Sequence, residues 1–114
     1  LPILQKGAVL RGAGLNTAVA PGVTLTPDGT YLFLAGVARH LPEGAALSVA
    51  DWMTDAGPAS ALSPEAPQHQ ERLGYVRDML GAEDFYWAML DAAPPGGAAV
   101  LDDAAIARFG LATR

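Results

Sequence analysis

The chain has 114 residues, of which 51% are hydrophobic and 17% charged, so it suits one folded domain and is too apolar for general disorder. Its net charge is −5 and its 7 Lys and Arg residues are scattered, which argues against a nucleic-acid-binding surface. The absence of cysteine excludes disulfides, zinc–thiolate sites and thiol catalysis. No apolar run approaches the roughly 20 residues of a transmembrane helix.

The first half of the chain predicts two helices and two strands. An amphipathic helix is expected over residues 1–13 and a short strand over residues 17–20. The sequence Thr-Pro-Asp at 26–28 provides a capping hydroxyl, a proline for the first helical position and a carboxylate for the helix dipole. The helix that it starts runs to Gly36 and is apolar almost all round, which predicts burial. Residues 45–50 predict a strand covered on both faces.

The second half predicts a loop, two helices, a strand and a last helix. Residues 54–67 are rich in Pro, Ala, Ser and Gly and offer few core anchors, so this loop is expected to be mobile. Helices are expected over 68–80 and 83–92, a strand over 98–101 and a helix over 103–109. Because strands and helices alternate, residues 1–114 predict one α/β layered domain. Three strands are few for such a sheet, so further strands are expected before residue 1 or from a partner chain.

Several short motifs follow one another in the order found in a known superfamily. They are Gly-Leu-x-Thr-x-Val at 14–19, Ala-Gly-Val-x-Arg at 35–39, Pro-x-Gly-Ala at 42–45, the strand Leu-Ser-Val-Ala at 47–50 and Phe-Gly-Leu-Ala-Thr at 109–113. Over most of its length the chain resembles the periplasmic Clp-protease-like branch of the bacterial Clp/crotonase superfamily. The resemblance implies a partial Clp/crotonase-like layered fold that lacks its N-terminal strands, and a periplasmic location.

The resemblance also implies where catalytic groups would stand. The family places a serine nucleophile at the start of the buried helix and a histidine base on the next strand. Aligned without gaps, these positions fall on Pro27 and Ala50, which have neither a nucleophile nor a proton acceptor. The glycine-rich segment that supplies oxyanion donors would precede residue 1. We therefore assign no catalytic, cofactor-binding or metal-binding residue and expect a pseudoenzyme.

Other groups with chemical potential have simpler structural interpretations. His40 is expected at the surface in a turn, and His69 is expected at the surface in the first turn of a helix. A triad of Ser48, His40 and Asp51 is disfavoured because strand residues three apart face opposite sides. The acidic pair at 102–103 is expected to cap a helix, and no acidic set has the spacing of a calcium loop.

The feature that points to a function is the run Phe-Tyr-Trp-Ala-Met-Leu at 85–90. At about 100° per residue it covers most of a helix circumference, which indicates either ordinary core or an interface. In so small a domain we expect Tyr86, Trp87 and Leu90 to face a protein partner or a second copy, with Trp52 beside them. The expected function is a non-catalytic interaction or accessory subunit. The alternatives are a serine hydrolase or peptidase completed by an upstream segment or partner chain, and a domain that keeps an acyl-binding cleft without the chemistry.

Overall fold

The computed structural model describes residues 2–113, which contain five α-helices and seven short strands. The helices are α1 Ile3–Gly12, α2 Pro27–Leu34, α3 Gln70–Leu80, α4 Asp84–Ala92 and α5 Asp103–Arg108. The strands are β1 Thr17–Ala18, β2 Thr24–Leu25, β3 Arg39–His40, β4 Ala46–Ala50, β5 Met53–Thr54, β6 Gly57–Pro58 and β7 Ala98–Val100. The prediction of a mixed α/β domain is confirmed in this coarse form. The first residue of the helix predicted over 1–13 lies outside the described residues.

The described strands form three small sheets rather than one continuous sheet. β4 is the centre of the order β2-β4-β7, parallel to β2 and antiparallel to β7. β1 and β3 pair in parallel, and β5 and β6 form an antiparallel hairpin. Sequence analysis missed β2, β3, β5 and β6 because a strand of two residues is too short to show a period.

The helix-start signature before α2 works as predicted. The Thr26 hydroxyl accepts a hydrogen bond from the Gly29 amide at 3.1 Å, and Pro27 occupies the first turn. Thr30, which is buried, donates its hydroxyl to the Ser48 carbonyl at 2.7 Å and so ties α2 to β4. Phe33 is also buried, which confirms that α2 packs inside the domain.

Two arginines bind carbonyl groups at and just beyond the C-terminal end of α2. Arg39 is 8% exposed, and its guanidinium donates to the carbonyls of Gly36, Gly110 and Leu111 at 3.1, 2.9 and 2.6 Å. Arg11 shares the Gly36 carbonyl at 3.2 Å. Burial lowers the pKa of Arg39, and the nearby charge of Arg11 lowers it further. These bonds join the end of α2 to the C-terminal residues of the domain.

β4 runs through the core, as its apolar sequence predicts. Leu47, Ser48 and Val49 are all buried, so both faces of the strand are covered. α2 and α4 both contact β4. The other long predicted elements, α3, α4, β7 and α5, are confirmed to within two residues at each end. No helix within residues 2–113 is long and apolar enough to cross a membrane.

The segment 54–67 has more structure than its composition suggests. It contributes to the β5–β6 hairpin, continues into the 3-10 turn Ala59–Ala61 and ends at the 3-10 turn Pro67–His69. Ala59 is fully buried. Ala59 is the one buried residue within this segment, so its core anchors are few, as its composition predicts. Its mobility stays a prediction.

Candidate functional site

The two positions that the family resemblance assigns to catalysis lie at one edge of the central sheet. Pro27 begins α2 just after β2, and Ala50 is the last residue of β4, the parallel neighbour of β2. Parallel strands end at the same edge of a sheet, and neither Pro27 nor Ala50 has a reactive side chain there. The neighbouring Thr26 hydroxyl is engaged as the helix cap.

The other catalytic set considered, Ser48 with His40 and Asp51, is not brought together. The Ser48 hydroxyl donates to the Leu25 carbonyl at 2.5 Å. His40 is exposed on β3, which belongs to another sheet. The Asp51 carboxylate accepts a hydrogen bond from the Ser60 hydroxyl instead. Ser48 and Asp51 are engaged in structural hydrogen bonds and His40 lies on another sheet, so the three residues do not form a catalytic triad.

An aromatic cluster lies beyond the end of β4 and consists of Trp52, His69, Tyr86 and Trp87. The Trp52 indole N–H donates to the Tyr86 hydroxyl oxygen at 3.1 Å, and that oxygen lies 2.7 Å from Nδ1 of His69. The Trp87 ring lies 5.0 Å from the His69 ring and 5.0 Å from the Tyr86 ring, in edge-to-face geometry with both. The cluster therefore joins the end of β4, the 3-10 turn Pro67–His69 and α4.

His69 is buried, and the expectation that it lies at the surface is wrong. It is 0% exposed, because the turn Pro67–His69 directs its ring into the interior, towards α4. The Trp52 indole can only donate, so the Tyr86 oxygen accepts that bond and its own proton is available to His69 Nδ1. This assignment leaves the histidine proton on Nε2, which has no hydrogen-bond partner within residues 2–113. Burial raises the pKa of Tyr86, although the bond from Trp52 opposes the shift.

Two of the four residues predicted to face a partner are covered by their own domain. Tyr86 is 0% and Leu90 5% exposed, so the domain itself covers these two side chains, which were expected to face a partner. α4 contacts β4, α3 and the turn Ala59–Ala61, so more than one side of the helix is buried. Trp87 and Trp52 are half-buried, and they are the predicted interface residues that still reach the surface.

Trp87 separates two clefts on the surface of α4. The larger, of about 520 Å³, lies between α4 and α5 and is lined by apolar groups that include Ala88 and Phe109. The smaller, of about 270 Å³, lies towards the segment 54–67. Trp87 and Asp91 line both. The indole is therefore accessible from two sides, although its inner edge is fixed by the aromatic cluster.

Charged groups border the larger cleft. Asp84 and Asp91 are exposed on α4, and Arg108 of α5 packs its guanidinium 4.9 Å from the centre of the Phe109 ring. Within residues 2–113 the one salt bridge joins Arg77 and Glu83, so neither aspartate is paired in a salt bridge. The cleft thus has an apolar floor, and its charged border consists of two carboxylates and one guanidinium.

Asp51 is buried directly after β4 and has a structural role that sequence analysis missed. It is 1% exposed and accepts hydrogen bonds from the Ser60 hydroxyl, the Ser60 amide at 2.8 Å and the Gly96 amide at 3.1 Å. Burial raises the pKa of this carboxyl, but the three hydrogen bonds outweigh that effect and lower it. The only sequence signal was an acidic residue placed directly after a buried strand.

Comparisons with known proteins give no match, whether with protein-family models, with curated proteins or with solved structures. The residues themselves are therefore the basis for any functional inference. Within the described part of the chain, no group of three or more acidic or histidine side chains could hold a metal ion. The arrangement offers an aromatic surface between clefts rather than a set of reacting groups.

Proposed function

We propose that the chain is a non-catalytic interaction or accessory subunit of the Clp/crotonase type. It binds a protein partner, or a second copy of itself, through the surface around Trp87. The observation that carries this proposal is the position of Trp87, half-buried between two clefts that both reach its ring. Tryptophan is among the residues most often found as interface anchors, and an anchor binds well when its own position is already fixed.

Different residues support the proposal that the chain is not catalytic. Pro27 and Ala50 occupy the positions that the family resemblance gives to the nucleophile and the base, and these positions share one sheet edge. We propose that this edge retains the Clp/crotonase layering, with the remaining strands supplied by an upstream segment or a partner. The same resemblance supports a periplasmic location.

The test compares Trp87→Ala with Met53→Ala, a control that truncates another accessible apolar side chain, 62% exposed. Sedimentation measures self-association, and a photo-crosslinking residue at Ala88 captures a partner in cells. We expect Trp87→Ala to weaken association by about 30-fold, which corresponds to about 2 kcal/mol, and Met53→Ala to leave it unchanged. Thermal unfolding of both variants separates binding from folding.

Two outcomes oppose the proposal. A wild-type chain that stays monomeric and gives no crosslink, while Trp87→Ala merely unfolds earlier, would make Trp87 an ordinary packing residue. Stoichiometric labelling by a fluorophosphonate probe, lost when one serine is changed, would favour the hydrolase alternative.

A further inference from the structure

One face of α4 combines an aromatic side chain with two unpaired carboxylates. Asp84, Trp87, Ala88 and Asp91 follow the spacing i, i+3, i+4 and i+7, so they lie on the same side of the helix. All four line the larger cleft. With a rise of about 1.5 Å per residue, the two aspartates are separated by about 10 Å along the axis, with the indole between them.

The middle of this cleft accepts an apolar group. Ala88 is small, and the opposite wall is built from Leu101, Ala105 and Phe109. Phe109 is held in place by the buried Phe85 ring, whose centre lies 5.5 Å away. An apolar side chain entering here would contact Trp87 while its neighbours reach the two carboxylates.

We infer that the occupant of this cleft is a segment of a different protein that places an apolar side chain against Trp87, between two Lys or Arg side chains that pair with Asp84 and Asp91. This inference rests on the proposed function and adds the chemistry of the partner. Complementary charge at the rim of an interface governs orientation and the rate of association, while the buried aromatic contact supplies most of the affinity.

A second copy of this chain is a poor occupant because its basic residues are already engaged. Arg11 and Arg39 bind backbone carbonyls, and Arg77 pairs with Glu83. Arg72 lies over the Trp52 ring at 4.2 Å, and Arg108 belongs to the cleft itself. Among residues 2–113 this leaves Lys6, which cannot meet two carboxylates at once. The net charge of −5 further disfavours self-association through an acidic face.

The experiment uses the full chain and two labelled helical peptides. One peptide carries leucine between two lysines seven residues apart, and the other has glutamates in place of the lysines. Fluorescence anisotropy measures binding at ~20 mM and ~300 mM salt, where screening lengths differ several-fold. We expect the lysine peptide to bind at least ~10-fold more tightly than the glutamate peptide at low salt, and this ratio to fall at high salt.

Charge-reversal variants decide whether the cleft is responsible. Asp84→Lys combined with Asp91→Lys should reverse the peptide preference. The control, Asp55→Lys combined with Asp78→Lys, makes the same change in net charge at exposed positions outside the cleft and should preserve the preference. Trp87→Ala should weaken binding of the lysine peptide at both salt concentrations.

Several results overturn the inference. The inference fails if both peptides bind equally or if neither binds. It also fails if the control variant changes the peptide preference as much as the cleft variant does, or if the wild type forms a dimer that Trp87→Ala dissociates. The proposed function fails separately. If the crosslink at Ala88 is lost in Trp87→Ala but the peptides bind equally, the interaction surface stands and the inference about charge falls.

Discussion

Removing the Tyr86 hydroxyl tests whether the aromatic cluster holds the domain together. Tyr86→Phe keeps the ring, which is fully buried, and deletes the oxygen that meets Trp52 Nε1 at 3.1 Å and His69 Nδ1 at 2.7 Å. The Trp52 indole is half-buried and can turn to water, so its loss is small. His69 is fully buried and its Nε2 already has no partner, so the variant leaves both ring nitrogens unsatisfied.

The expected loss of stability follows from the buried His69 ring, whose nitrogens are left without hydrogen-bond partners. Leaving a buried polar group without a partner costs about 1–3 kcal/mol, so Tyr86→Phe should destabilise the domain by about 2 kcal/mol. Total stabilities of small domains are about 5–15 kcal/mol, so the change is easily measured by urea unfolding followed by circular dichroism. A Tyr86→Phe midpoint equal to that of the wild type would refute the reasoning.

A double-mutant cycle isolates the polar contact from ring packing. His69→Phe removes the partner that Tyr86→Phe leaves orphaned, so the double variant should lose clearly less than the sum of the two single variants. Additive losses would mean that the two side chains do not share a hydrogen bond that matters to stability.

Three further predictions concern the surrounding structure. Asp51→Ala should destabilise the domain by about 2–4 kcal/mol, because it leaves two amides and the Ser60 hydroxyl without their acceptor. The pKa of Asp51 in the folded protein lies below its ordinary value of 3.8, so the stability lost in Asp51→Ala should be largest above that pH and should shrink as pH falls through the folded pKa. Urea unfolding at several pH values measures this loss, and a loss that does not change with pH would contradict the prediction. Arg39→Met should lower stability by about 3 kcal/mol, with Arg39→Lys intermediate, since three carbonyls, two of them in buried hydrogen bonds, lose the donors of one guanidinium. Equal losses for the two variants in calorimetry would contradict a special role of the guanidinium geometry. Limited proteolysis of the folded protein should cut first within residues 54–67. First cuts elsewhere would show that this segment is not the most mobile part of the chain.

The elements that sequence analysis predicted well are those whose signals are local. Thr26 and Pro27 mark the start of α2 with their own side chains, and the Asp102 cap of α5 acts in the same way. Gly81 ends α3 in the left-handed region, with φ of 81°, which is unstrained for glycine. Such signals need no information from distant residues.

The candidate site depends on contacts between residues far apart in sequence. His69 and Tyr86 are 17 residues apart, and Trp52 and Tyr86 are 34 apart. The apolar run 85–90 showed that α4 had to be covered on several sides, but it did not show what would cover it. The turn Ala59–Ala61 of the segment 54–67 contacts α4, and Tyr86 and Leu90 of this helix are buried within the domain.

The buried network and the exposed indole are two parts of one arrangement. Tyr86 and Trp87 are consecutive on α4, and the His69 ring contacts both of their rings. A network that fixes His69 therefore also limits where the Trp87 ring can lie. An interface anchor that is already held in position loses less conformational entropy when it binds. The polar bonds that stabilise the interior should thus favour the proposed association at the surface, and weakening them should reduce that association even when the surface residues themselves are unchanged.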